Sequence, residues 1–224
     1  MSLGPEAKIR DLDSARGVRY IKATMTPTAA VAREQRKTAR REAILTAAQD
    51  VFAREGFDGA TIADIAHAAG VASGTVYLYY ESKIDLFAAL NERLWEVVTG
   101  AMRDADAPPD VRGGTETRIH AVFDAANRHR DLLRIVFLNP DPRTEVARRM
   151  NTADQARVQP LMELLQGGID AGTVRDTDPA MLARLINSLV VIALYQCFIQ
   201  QDSKNVDAYE ETVTAMIVGA LTPA

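Results

Sequence analysis

The stretch from Thr61 to Lys83, TIADIAHAAGVASGTVYLYYESK, constrains this chain more than any other. It reads as two short helices joined by a tight turn at Gly70. Thr61 and Asp64 have the spacing of a capping box, so the first helix is expected to open there. Ile62, Ile65 and Ala66 give it one apolar side. Small residues at Ala68 and Ala69 are expected to let the next helix cross closely. That second helix is too short, and too rich in Tyr and Thr, to be a core element. The pattern predicts a helix-turn-helix, whose second helix belongs in the major groove of DNA.

The flanking segments fit that frame. A helix is expected from about Arg36, with Ile44, Ala47, Ala48, Val51 and Phe52 on its buried face. Gly56 is its expected αL stop, with Phe57 folding back as the apolar contact. Ser82 and Asp85 repeat the capping signature. The helix they open carries Ile84, Leu86, Phe87, Leu90, Leu94, Val97 and Val98, and is expected to run to about Arg103. DADAPPDVRGG (104–114) reads as a linker, with two prolines, two glycines and no period. Further helices are expected near 115–129, 131–139, 143–167, 178–201 and 205–221. No segment alternates with period two, so the expectation is an all-α chain. The expected division is a flexible extension over 1–32, a helix-turn-helix DNA-binding domain over 33–82 and a helical ligand-binding and dimerisation domain over 83–224.

Charge refines the nucleic-acid reading. The net charge of -4 argues against a general DNA coater, but its distribution is uneven. Residues 33–41 hold five basic residues and one acid, whereas 101–224 hold 13 basic and 17 acidic residues. A local basic arm containing Arg40 and Arg41 on a neutral or acidic body suits a sequence-specific reader. The arm could equally be a charged helix face. No apolar run of about 18 residues stands out, so no membrane span is expected. The start lacks a basic-then-apolar signal, and the single Cys197 cannot form an internal disulfide. Both fit a reducing cytoplasm.

Residues Ile44–Leu90 resemble the TetR family of transcriptional regulators. The resemblance lies in AAQDVFAREGFDGATIADIAHAAGVASGTVYLYYESKIDLFAAL: an Ala-x-x-x-Phe helix, Gly56-Phe57, Thr-x-x-x-Ile-Ala, Ala69-Gly70-Val71, Gly74-Thr75-Val76-Tyr77, Tyr79-Tyr80 and Ser82-Lys83. It implies an N-terminal three-helix head, a C-terminal helical bundle and an Ω-like two-fold dimer on a pseudo-palindromic double-stranded DNA operator. Repression released by a small, largely apolar effector is the implied function. Tyr79 and Lys83 match positions that hold backbone phosphates in the family. Lys83 also stands in a first helical turn, where acids are normally favoured, and a phosphate partner would account for that.

The residues themselves support a docking surface. Thr61 at a helix N-terminus could hold a phosphate. Ala72, Ser73 and Gly74 are small and are expected to face out, letting the helix enter deeply. Ala72 could touch a thymine methyl, and Ser73 could bond a base edge. Thr75 and Tyr77 follow on the exposed face. The family often has Ser or Thr where this chain has Ala72, so Ser73 is expected to cap one residue later, or the helix to start less sharply. Tyr80 and Val76 are expected in the core.

Beyond the linker, Met181–Gln200 is apolar nearly all round, which requires burial on every side. One face is assigned to the core and another to a second subunit. Leu182, Leu185, Leu189 and Ile192, with Tyr209, Val213, Met216 and Ile217 of the last helix, are the expected homodimer interface. Trp95, Phe123, Asn127, Phe137, Met150, Met162, Tyr195 and Phe198 are the candidate lining of an effector pocket between helices. Glu116, His120 and Asp124 share a helical face. That spacing could hold a divalent metal, but it is read as a solvated stripe, and no metal or cofactor is expected. His67 is expected to be partly buried, and Cys197 buried and inert. No nucleophile–base pattern or phosphate loop is visible, so no enzyme is expected. The alternative is a helical ligand-binding or protein-interaction module with a degenerate helix-turn-helix. Intact Thr75, Tyr77, Tyr79 and Lys83 count against it.

Overall fold

A computed structural model describes residues 29–138, 145–201 and 204–223, and among these the chain is helical with no strand. The chain divides into two units, Met1–Lys37 and Thr38–Ala224. In the first, the described residues 29–37 are helical, so the helix expected from Arg36 begins earlier, at Ala29. The expectation for 1–32 lies mostly outside the described residues.

In the second unit, α1 (Ala29–Gly59) buries Ile44, Leu45, Ala47, Ala48, Val51 and Phe52 along one face. Gly56 interrupts it at φ 71 and ψ 173. That is not the αL geometry expected of a simple stop but a region open essentially to glycine alone. The break turns Phe57 back, so its ring lies 5.7 Å from Phe52 and 5.2 Å from Phe87. α2 (Ile62–Ala68) opens on the expected capping box at Thr61 and Asp64. It ends at Gly70, φ 64, where Gly70 N–H donates to the His67 carbonyl at 3.1 Å and Val71 N–H to Ala66 at 2.9 Å. Those two bonds make a Schellman motif, which needs a residue at positive φ. α3 (Ser73–Tyr77) follows after two residues, with Val76 fully buried beneath it.

α4 (Lys83–Asp104) starts at Ser82, whose hydroxyl accepts from Asp85 N–H at 3.2 Å. α5 (Val111–Arg128) begins earlier than expected, so Gly113 and Gly114 belong to a helix and not to the linker. Asp110 supplies its cap, accepting from Gly113 N–H at 2.8 Å. Gly114 is buried under the Pro108 carbonyl, 2.7 Å from where a Cβ would stand, so close packing explains this glycine. α6 (Arg130–Leu138), α7 (Glu145–Asp170), α8 (Pro179–Tyr195) and α9 (Val206–Leu221) complete the bundle, with a π-helical turn over Gln196–Gln200. Asp178 caps α8 through Ala180 and Met181 N–H, with Pro179 at its first position. The buried apolar residues of the second unit form one cluster from Ile44 to Leu221.

Pro179–Gln200 is, by length and composition alone, long and apolar enough to cross a membrane, an apolar run that does not stand out in the sequence as one of that length. It carries one charge, Arg184, in 22 residues. In the fold it packs against α7 and α9.

Candidate nucleic-acid interface and effector cavity

The helix-turn-helix presents a continuous outer face. Ala72, Ser73, Gly74, Tyr77 and Leu78 are exposed, Thr75 and Tyr79 half-buried, and Val76 and Tyr80 buried. A Cβ at Gly74 would meet nothing within 4 Å, so the chain's own packing does not require glycine there. Ala72 is the N-cap of α3 with no side-chain cap bond, and Ser73 is its first helical residue. Ser73 therefore does not cap, and its side chain is exposed. Leu78, 79% exposed, was not anticipated from the sequence. An apolar residue directly after a five-residue helix, between two tyrosines, was the available signal.

Three of the expected contacts have partners within the fold. The Thr61 hydroxyl bonds the Asp64 carboxylate, and Thr61 N–H donates to the same carboxylate at 3.1 Å. That bond holds the Asp64 carboxyl below its usual value, and the carboxylate would repel a phosphate at this helix end. Lys83 Nζ donates to the carbonyls of Phe57 at 2.6 Å and Ala60 at 2.9 Å, and lies 4.6 Å over the Phe57 ring. Its ammonium thus satisfies the orphan carbonyls at the end of α1 and pins α4 to it. Its place in the first turn of α4 needs no phosphate. The Arg41 guanidinium stacks 5.3 Å over the ring of Tyr80, whose hydroxyl donates to the Arg41 carbonyl at 3.4 Å. Burial pushes the Tyr80 phenol up. Arg40 is exposed. Replacing Lys83 with Met is expected to destabilise the protein by about 1.5–3 kcal/mol. Thermal melting checks the loss. The salt dependence of DNA binding should stay unchanged, whereas loss of a phosphate contact would lower its slope by about one.

Residues 44–90 match the family model described as bacterial regulatory proteins, tetR family. The HTH-type transcriptional activator FasR of Mycolicibacterium smegmatis is 28% identical over 154 residues, 66% of this chain and 70% of FasR. The uncharacterized HTH-type transcriptional regulator TtgW of Pseudomonas putida is 32% identical over 114 residues, 43% of this chain and 81% of TtgW. This chain belongs to the TetR family. Among solved structures, FadR of Bacillus subtilis in complex with stearoyl-CoA superposes with a TM-score of 0.69 at 20% identity, covering 80% of this chain and 98% of that one. The fatty acid degradation regulator FadR of Bacillus halodurans gives 0.68 at 24%, covering 80% and 94%. Both likenesses show the fold. As a TetR-family member the chain is a DNA-binding transcriptional regulator.

In this TetR-family chain, α4, α5, α7, α8 and α9 line a partly open cavity of about 580 Å³. Its walls are mostly aliphatic: Val98, Ile119, Val122, Leu161, Ile186 and Val190 among them. Of the residues expected to line it, only Trp95 does. Phe123 and Phe198 are buried against each other at 6.2 Å, and Phe137 stacks on Tyr195 at 5.8 Å. Met162 packs against the core, Asn127 is exposed, and Met150 lies outside the described residues. Large rings fill core space, so the gap falls among smaller side chains that sequence does not single out.

The expected interface also divides. Leu182, Val213 and Ile217 are buried within the subunit. Leu189 and Tyr209 are half-buried, while Leu185 (59%), Ile192 (58%) and Met216 (56%) stand in the open. Glu116 pairs with Arg112 at 3.1 Å, Asp124 with Arg128 at 2.9 Å, and His120 with Glu210 at 2.9 Å. Each member of that stripe thus has its own partner, and no metal-ligating cluster occurs among the described residues. His67 is exposed, not partly buried. Cys197 is buried, and burial pushes its thiol up, which suits an inert residue.

Proposed function

We propose that this chain is a homodimeric repressor that reads a pseudo-palindromic operator and releases it when a small, largely apolar effector enters the cavity. The observation that carries the DNA-reading part is the open face of α3, where Ser73, Gly74, Thr75 and Tyr77 are held outward on a capped and glycine-turned scaffold. Residues 33–82 act as the reading head and 83–224 as the effector and dimerisation body. Ala72 and Leu78 offer apolar contact to thymine methyls, Ser73 and Thr75 reach base edges, and Tyr77, Tyr79 and Arg40 contact backbone or bases. The protein acts in the cytoplasm, where the operator is.

The apolar stripe of Met181, Leu185, Leu189 and Ile192 on α8, continued by Met216 on α9, is the partner face. Its spacing puts these residues on one side of α8, beside the buried face of Leu182, Ile186 and Ala193. An exposed stripe of this kind marks an interaction surface, and a two-fold pairing would set two heads on successive half-sites. The effector reading is supported by a volume within the usual range of ligand sites. It is also supported by the stearoyl-CoA held by the similarly folded FadR. A double variant, Leu185→Glu with Ile192→Glu, is expected to sediment as a folded monomer and to bind operator on the order of 100-fold more weakly, through loss of the second head. A variant that stays dimeric would contradict the assigned face.

A further inference from the structure

The cavity is apolar on most of its walls, and among the described residues one permanent cation stands in its lining. Arg118 on α5 is half-buried, and a guanidinium does not shed its proton in proteins. It carries five N–H donors. Among the described residues its one hydrogen bond runs from Nη1 to the Gly114 carbonyl at 2.9 Å, and no carboxylate comes within ion-pairing distance. Gly114 explains why the guanidinium lies down on the start of α5 and not out in solvent. A Cβ there would stand 2.9 Å from Nη1.

The other polar groups of the lining are mostly engaged. The hydroxyls of Thr99 and Thr115 donate to the carbonyls one turn back, each at 2.6 Å. Asp110 caps α5 through Gly113 N–H, and the exposed Glu163 accepts from Gln159 Nε2 at 2.9 Å. Asn187 adds a neutral amide. A cationic ligand would face Arg118 with both lining acids occupied elsewhere. An anion would supply the acceptors that a half-buried guanidinium otherwise lacks.

We infer that the effector is an amphipathic organic anion, its apolar body against Trp95, Val122, Ile186 and Val190 and its single carboxylate or phosphate head on Arg118. At about 30 Å³ per water-sized group, the cavity takes on the order of twenty non-hydrogen atoms. The inference rests on the cavity being the effector site, as proposed above, and adds the charge of the ligand and the residue that reads it.

Trp95 is the single tryptophan and lines the cavity, so its fluorescence reports occupancy. The test titrates dodecanoate, 1-dodecanol and dodecylamine, each below its aggregation limit, into the full chain and into R118Q. Dodecanoate is expected to bind the unaltered protein tightest and to lose about ten-fold or more in R118Q, while dodecanol binds both alike. If R118Q does not fold, R118M, which keeps an apolar stem of similar reach, takes its place with the same expected result. Dodecanol or dodecylamine binding as tightly as dodecanoate to the unaltered protein would overturn the anion inference and leave the cavity reading standing. So would an unchanged dodecanoate affinity in the folded variant. Failure of all three ligands to bind would overturn both.

Discussion

Ser73→Glu is expected to abolish operator binding while leaving the fold at least as stable. Ser73 is the first helical residue of α3, exposed, and its side chain takes no part in capping. A carboxylate in that first turn interacts favourably with the helix dipole, by about 0.3–1 kcal/mol. The same carboxylate would face base edges and phosphates wherever α3 enters the major groove. Loss of a base contact, with charge repulsion added, should weaken binding by about a hundred-fold or more. Fluorescence anisotropy on an operator fragment reads the loss, and thermal melting reads the stability. A fall in both together would mean that Ser73 serves the fold. Retained binding would place the reading face elsewhere.

Phe87→Ala should have the largest effect on stability. Phe87 is 1% exposed, and its ring stands edge-on to Phe52 at 6.2 Å and to Phe57 at 5.2 Å. These three rings tie the end of α1 to the start of α4, beside the Lys83 bonds to Phe57 and Ala60. Truncation would leave a cavity that the Gly56 break and the bonded Lys83 keep from collapsing. The expected cost is about 3–5 kcal/mol. For a chain of this length that lowers Tm by roughly 10 °C or more. Calorimetry or thermal melting checks it, and a shift of only a degree or two would show that the ring cluster is not a structural joint.

The head was legible in the sequence because its signals are local. Thr61 with Asp64, Ser82 with Asp85, and Gly70 each act over a few residues, and the structure forms the caps and the turn where they predict them. The role of Lys83 within the fold was hidden for the opposite reason. Its partners lie 23 to 26 residues earlier, so only the tertiary fold shows that an ammonium in a first helical turn serves the end of another helix. Gly113 and Gly114 looked like linker residues, but glycine also serves where a carbonyl such as that of Pro108 presses on a helix.

The body was harder to read. That α8 is apolar on all sides was plain, but which side faces inward depends on α7 and α9. Leu182 and Leu185 are alike in sequence and stand about one turn apart, yet the first is buried and the second exposed. The cavity escaped a search for large side chains because cavities open where large side chains are missing. Arg118 is conspicuous only once Ile119, Val122 and Ile186 are seen around it.

The most direct test of the account is selection of bound DNA from a random-sequence pool by the purified full chain at physiological salt. The account predicts enrichment of one pseudo-palindrome, with half-sites set by a two-fold dimer and an affinity that falls steeply as salt rises. Recovery of no enriched sequence from a folded dimer would contradict it.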